Sequence, residues 1–270
     1  MSKVLSTAGA LLALTLLGCD RSEYKGADDD THSEVLDSDA AADDTGLAAG
    51  GATLSAVIHG PDGEPADGLN IILCSGACLQ ATTDADGRLL FEDFQAGRDF
   101  ALHIDAGESG WADLMVVTPI AADENLSLEQ AFIMAELGAV TEMTDAPAAE
   151  LELLDGLWMT IDPSVIILPF LTETLDVAAA EAITFPPLLP VEAPLAVWYL
   201  EPYEAHSEVP MPVRIENRWG LEPGDTATLH EASYGDLAWL DAGVVTVSDD
   251  GSELVGGAVS HFATLVLSLP

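Results

Sequence analysis

The chain has 270 residues, of which 47 are acidic and only 7 are Lys or Arg, giving a formal net charge of −40 at pH 7. A surface this acidic repels nucleic acid, polyphosphates and anionic lipid headgroups, which excludes those partners. Hydrophobic residues still make up 49% of the chain and are patterned along it, so most of it folds around a core, while salt or divalent cations screen the self-repulsion.

The first element is a short apolar segment. Lys3 supplies a positive start, and Val4 to Leu17 is an uncharged run of Leu, Ala, Thr and Ser that ends at Gly18-Cys19. At about 14 residues the run is too short to span a bilayer and fits the apolar region of a secretory signal. Leu16-Leu17-Gly18-Cys19 resembles the bacterial lipobox. The resemblance implies diacylglycerol on the Cys19 thiol, cleavage before Cys19 and acylation of the new N-terminus. Two acyl chains anchor stably, so three make release negligible. Residues 1–18 are then a signal peptide, and the protein belongs to the cell envelope, on the outer membrane or cell surface in preference to the inner membrane.

Residues 19–51 carry Asp28-Asp29-Asp30, Asp37, Asp39, Asp43 and Asp44 among small polar residues. With so few large apolar side chains this stretch cannot offset its ordering entropy, and a disordered tether of roughly 30 Å is expected. Its carboxylates could bind calcium diffusely; no other cofactor is implied.

Strand periodicity starts at Ala52. Leu54, Ala56 and Ile58 alternate with Thr53, Ser55 and Val57, and Gly60-Pro61-Asp62-Gly63 marks a turn. Leu69 to Cys74, Leu89 to Phe91 and Phe100 to Ile104 follow as strands, separated by the turns Thr82 to Gly87 and Phe94 to Gly97. The Gly-Pro-Asp-Gly turn, the Thr-Thr-Asp-Ala-Asp-Gly-Arg turn into an aromatic strand and the Phe-x-Ala-Gly corner resemble the carboxypeptidase regulatory-like domain. That resemblance covers 52–105 and implies a small transthyretin-like β-sandwich without chemistry of its own.

Cys74 and Cys78 are an even pair once Cys19 is assigned to lipid, and export permits a disulfide across Ser75-Gly76-Ala77. Metal binding is the rival, but no further Cys or His lies nearby to complete a tetrahedral site. Asp84-Ala85-Asp86-Gly87 resembles the opening of a calcium loop. The next acids, Glu92 and Asp93, lie beyond the following strand, short of the six to eight oxygens required. Asp84 and Asp86 are therefore a weak calcium candidate in a turn that itself calls for Asp and Gly.

Residues 106–150 read as a connecting segment. Trp111 to Ile120 has strand character, and Ser127 to Leu137 has a helical pattern, with Leu128, Phe132, Ile133 and Leu137 near one face behind a Ser cap. From residue 151 the pattern is strand-like again. Val165 to Phe170 is an apolar run expected to be a strand buried on both faces. Further strands are expected at Leu195 to Leu200, Val213 to Ile215, Thr226 to Glu231, Val244 to Val247 and His261 to Leu267. Pro212 to Ile215, the turn Gly220 to Asp225, Trp239 and Ser260-His261-Phe262 resemble the end of ZU-type β-sandwich domains. The resemblance implies a second sandwich over 151–270.

In some relatives of that fold a His-Phe-Ser sequence cleaves itself through an N–O acyl shift. Here His261-Phe262 precedes Ala263, which has no nucleophile, and Thr264 is one residue late. An intact chain is expected, checked by the absence of a fragment beginning at Ala263 in a mass spectrum. Hydrolase arrangements are missing: His230-Glu231 has Tyr234 where a metalloprotease needs its second His, and Gly107-Glu108-Ser109-Gly110 is no nucleophile elbow. Trp198-Tyr199 with Tyr203 and Trp219 could form a sugar-stacking platform, but the apolar run around Trp198 favours core packing.

The sequence therefore predicts an all-β protein of two tandem β-sandwiches behind a signal peptide and an acidic tether. It is expected to be a membrane-anchored lipoprotein with a structural, adhesive or ligand-presenting role and no catalysis. The alternative is a glycan- or peptide-binding accessory to a secreted enzyme system.

Overall fold

The computed structural model describes residues 51–169 and 172–270. The expectations for Cys19, the signal segment and the tether up to residue 50 lie outside these residues. The protein is all-β. Among the described residues there is no α-helix, only a single 3-10 turn at Pro163–Val165 that Asp162 caps by accepting the Ser164 N–H.

The first sandwich is built from β1 (Ala52–His59), β2 (Asn70–Cys74), β3 (Cys78–Thr82), β4 (Arg88–Phe94), β5 (Arg98–Asp105), β6 (Leu114–Ile120), β7 (Asn125–Ser127) and β8 (Phe132–Ile133). One sheet runs β4-β1-β7, with β8 also on β1, and the other runs β3-β2-β5-β6. The alternation in β1 holds: Ala52, Leu54, Ala56 and Ile58 point into the core. Gly87, at φ +70, closes the turn after β3, where a Cβ would sit 2.3 Å from the Ile58 carbonyl oxygen. Only glycine combines that dihedral with that approach.

The sandwich extends well past residue 105. β6 pairs with β5 along its length, from Arg98↔Ile120 to Ile104↔Leu114. The expected helix over Ser127 to Leu137 does not form. β7 lies parallel to β1 at Thr53↔Asn125, and β8 parallel to it at Ile58↔Phe132. The free side of β1 needs ladder partners, and supplying them satisfies more buried backbone than a lone exposed turn of helix could. Phe132, Met134 and Ala135 are all buried in this setting.

The remaining strands are β9 (Thr141–Glu142), β10 (Ala149–Leu154), β11 (Leu157–Ile161), β12 (Ile166–Ile167), β13 (Asp176–Glu181), β14 (Pro194–Glu201), β15 (His206–Glu216), β16 (Thr226–Ser233), β17 (Ala238–Val247), β18 (Glu253–His261) and β19 (Thr264–Ser268). They form one antiparallel sheet, ordered β10-β11-β15-β18-β17-β16-β19-β14-β13-β9 with β12 on β15, and it curls until β10 lies beside β13. The run from Val165 is not a strand buried on both faces. Phe170 lies outside the described residues; of those described in the run only Ile166 and Ile167 pair, against Ser207 and His206, and Ile167 is exposed. The Asp162-Pro163 cap turns the chain and leaves β12 at the sheet margin.

Burial on both faces occurs instead in β14 and β19. Ala196, Trp198 and Leu200 enter the core of the curled sheet, while Val197 and Tyr199 enter the core of the first sandwich. Leu265 and Leu267 divide from Val266 in the same way. A third cluster joins Ala101, Met115 and Val117 to Ala232 and Ala263. The two sandwiches thus share their packing, and the described residues all belong to one compact unit.

Candidate functional site

Where the face of β6 meets the ends of β15, β16 and β18, the packing leaves a cleft of about 480 Å³. Met115 comes from the first sandwich. Leu168 and Pro169 form one wall, and Tyr203, Glu204 and His206 another. Ser233 to Asp236, in the turn between β16 and β17, lie beside His261, Phe262 and Ala263. A volume of this size with apolar walls and a few polar groups matches small-molecule sites.

The polar groups are ordered by strand pairing. His206 opens β15 and His261 closes β18, and the two are register partners with rings 6.2 Å apart. Glu231 is buried beside them. One of its oxygens accepts the N–H groups of Ser260 (2.8 Å) and His261 (3.1 Å), and the other meets His261 Nδ1 at 3.2 Å. That hydrogen bond outweighs burial and raises the His261 pKa. It also places the proton on Nδ1 and leaves Nε2 as the other ring nitrogen.

The tyrosines tie the cleft to the first sandwich. Tyr203 stacks on His103 with centroids 3.6 Å apart, and its hydroxyl donates to Met115 Sδ at 3.2 Å. Burial pushes its pKa upward. Tyr234 meets Tyr203 edge-on at 6.5 Å and donates to Cys74 Sγ at 3.0 Å. Glu204 is exposed at the cleft with φ +65, and its pKa is raised, first by partial desolvation and then by Asp113, against the lowering effect of His103.

Behind the tyrosines lies a polar junction. His103 Nε2 meets Asp113 Oδ2 at 3.1 Å, and the Asp113 N–H donates to Glu201 at 2.7 Å. The Tyr203 N–H donates to the other Glu201 oxygen at 2.8 Å. Burial, with repulsion from Asp113, pushes Glu201 up to about 7.

Cys74 and Cys78 form the disulfide, opposite one another in β2 and β3 with Cα atoms 4.1 Å apart. Asp84 is used by its own turn, accepting the N–H groups of Asp86 and Arg88, while Asp86 pairs with the Arg88 side chain at 2.6 Å. Among the described residues no group of three His, Cys, Asp or Glu could hold a metal. Phe262 and Ala263 are both buried; the Thr264 hydroxyl accepts the Met115 N–H at 3.1 Å. Trp198 and Tyr199 point into opposite cores, and the Trp219 indole donates to the Leu195 carbonyl, so they build no common platform. Of that aromatic group only Tyr203 reaches the cleft. Sequence reasoning missed Glu231, Tyr234 and Glu204, because strand register rather than spacing brings Glu231 to His261.

No family model matches the chain, and no curated protein matches it. Similar solved structures include a candidate carbohydrate-binding protein from Bacteroides uniformis, at 8% identity and TM-score 0.25 over 80% of this chain and 78% of that one. The major pilin subunit BcpA of Bacillus cereus aligns at 11% identity and TM-score 0.22, over 80% of this chain and 57% of the pilin. A Ca2+-stabilized adhesin by which an Antarctic bacterium binds ice aligns at 12% identity and TM-score 0.17, over 77% of this chain and 65% of that one. Likeness at this level transfers neither residues nor role.

Proposed function

We propose that this is an extracytoplasmic lipoprotein, anchored through lipid on Cys19, that binds a small ligand in the cleft between its sandwiches and performs no catalysis. The cleft is the observation that carries the reading. Its size, its aromatic walls and its few convergent polar groups are those of a ligand site. The lipobox-like Leu-Leu-Gly-Cys run supports the anchor.

Two arms test this reading. Membrane fractionation should recover the wild type with lipid and release Cys19→Ala to the soluble fraction. For the cleft, Gly235 is an exposed lining residue with no neighbour within 4 Å of where a Cβ would sit and no left-handed dihedral, so it accepts a large side chain without strain. Saturation-transfer NMR against a panel of sugars, amino sugars, amino acids and polyamines should give hits that Gly235→Trp removes. Hits that persist in Gly235→Trp, or an anchor indifferent to Cys19→Ala, overturn the corresponding part.

A further inference from the structure

The described residues contain no lysine, and each of their four arginines is committed elsewhere. Arg88 pairs with Asp86, and Arg98 donates to the Ser75 carbonyl at 3.2 Å. Arg214 bridges Glu150 and Glu253, and Arg218 pairs with Glu181. No permanent cation of the described chain lines the cleft, yet two carboxylates do. Asp236 is held by the Ser233 hydroxyl at 2.8 Å. Glu204 makes no hydrogen bond or ion pair among the described residues, and only the His103 imidazole favours its charge. An exposed carboxylate on the wall of a cleft, with no permanent cation beside it, gains from a cation that the cleft can hold.

The geometry also selects the kind of cation. Calcium takes six to eight oxygens and magnesium an octahedral set, which Glu204 and Asp236 cannot supply. An ammonium group needs less: one or two carboxylates and aromatic faces within about 6 Å. Tyr203 and Tyr234 supply the rings, and Met115, Leu168 and Pro169 offer an apolar wall to the rest of the molecule. The field of the whole chain acts in the same direction, concentrating cations and repelling anions.

Resting on the cleft as a binding site, we infer that its ligand is an organic cation, an ammonium group carried on a compact apolar or sugar-like body. Glu204 is the charge partner, and the tyrosine rings are the walls.

The test uses matched pairs that differ mainly in charge: choline against its uncharged carbon isostere, and cyclohexylamine against cyclohexanol. Isothermal titration at about pH 8 should show the cationic member of at least one pair binding about tenfold or more tightly than its neutral partner. Glu204→Gln, at a solvent-open position, should remove most of that difference, and Gly235→Trp should remove binding. NMR shifts of the Met115 and Leu168 methyl groups give a second readout in the wild type, independent of any variant's folding. Equal affinity for charged and neutral members, still lost in Gly235→Trp, overturns the cationic ligand and leaves the cleft standing. No methyl shift with any of the four probes, or binding unaffected by Gly235→Trp, overturns both.

Discussion

Glu231 holds three hydrogen atoms with two oxygens, and that inventory decides what a substitution does. A glutamine keeps one acceptor oxygen and turns the other into a donor. Either a backbone N–H of Ser260 and His261 or the Nδ1–H of His261 then faces a like group. Glu231→Gln should cost about 1–3 kcal/mol, measured by urea denaturation. It should also lower the His261 pKa, because the hydrogen bond and charge of Glu231 are lost and only Asp236 then opposes burial. The sign follows from linkage. The raised folded pKa stabilises the native state fully below the unfolded value and loses that contribution as pH rises through the folded value. The penalty of Glu231→Gln should therefore be larger at about pH 5.5 than at about pH 8.5. A penalty that does not change with pH would mean that the imidazolium is not part of the pair.

At the scale of elements, β14 carries both the sharing of the cores and the polar junction at its end. Glu201, its last residue, is pushed up to about 7, so the folded state favours the protonated acid. That contribution is complete below the unfolded value of about 4.5 and is lost as pH rises through about 7. Raising the pH from about 5 to about 8 should loosen the joint around Asp113 and Tyr203, read as faster amide exchange in β6 and at Tyr203. Glu201→Gln should flatten this response while keeping an acceptor for one of the two N–H groups. The same strand shows how far the sequence could be read. Its apolar run announces a strand, but not that Trp198 and Tyr199 serve two different cores. Likewise Leu128, Phe132 and Ile133 fit one helical face and also fit short strands, and only the free side of β1 decides between them. β1, by contrast, was legible residue by residue, because one of its faces is core and the other is not. The cleft was the least legible part, since β15, β16 and β18 meet there through register across distant segments.

At the scale of the whole molecule, the shared packing bears on how the protein unfolds. If the sandwiches were independent, each would close its own core and the joint would be a wet interface. Instead Val197, Tyr199 and Val266 complete the first core, and Met115 and Val117 pack against Ala232 and Ala263. Burying each large apolar side chain is worth about 1.5–3 kcal/mol. The joint therefore accounts for a large part of a net stability on the order of 5–15 kcal/mol. Residues 52–270 should unfold in one calorimetric transition, with calorimetric and van't Hoff enthalpies agreeing. A fragment of residues 138–270 would expose the outer face of β14 and β19, an apolar strip including Val197, Tyr199 and Val266. It should bind a hydrophobic dye and melt well below the intact body. Two resolved transitions in the intact body, or a fragment as stable as the whole, would show that the joint holds far less of the fold than this burial implies.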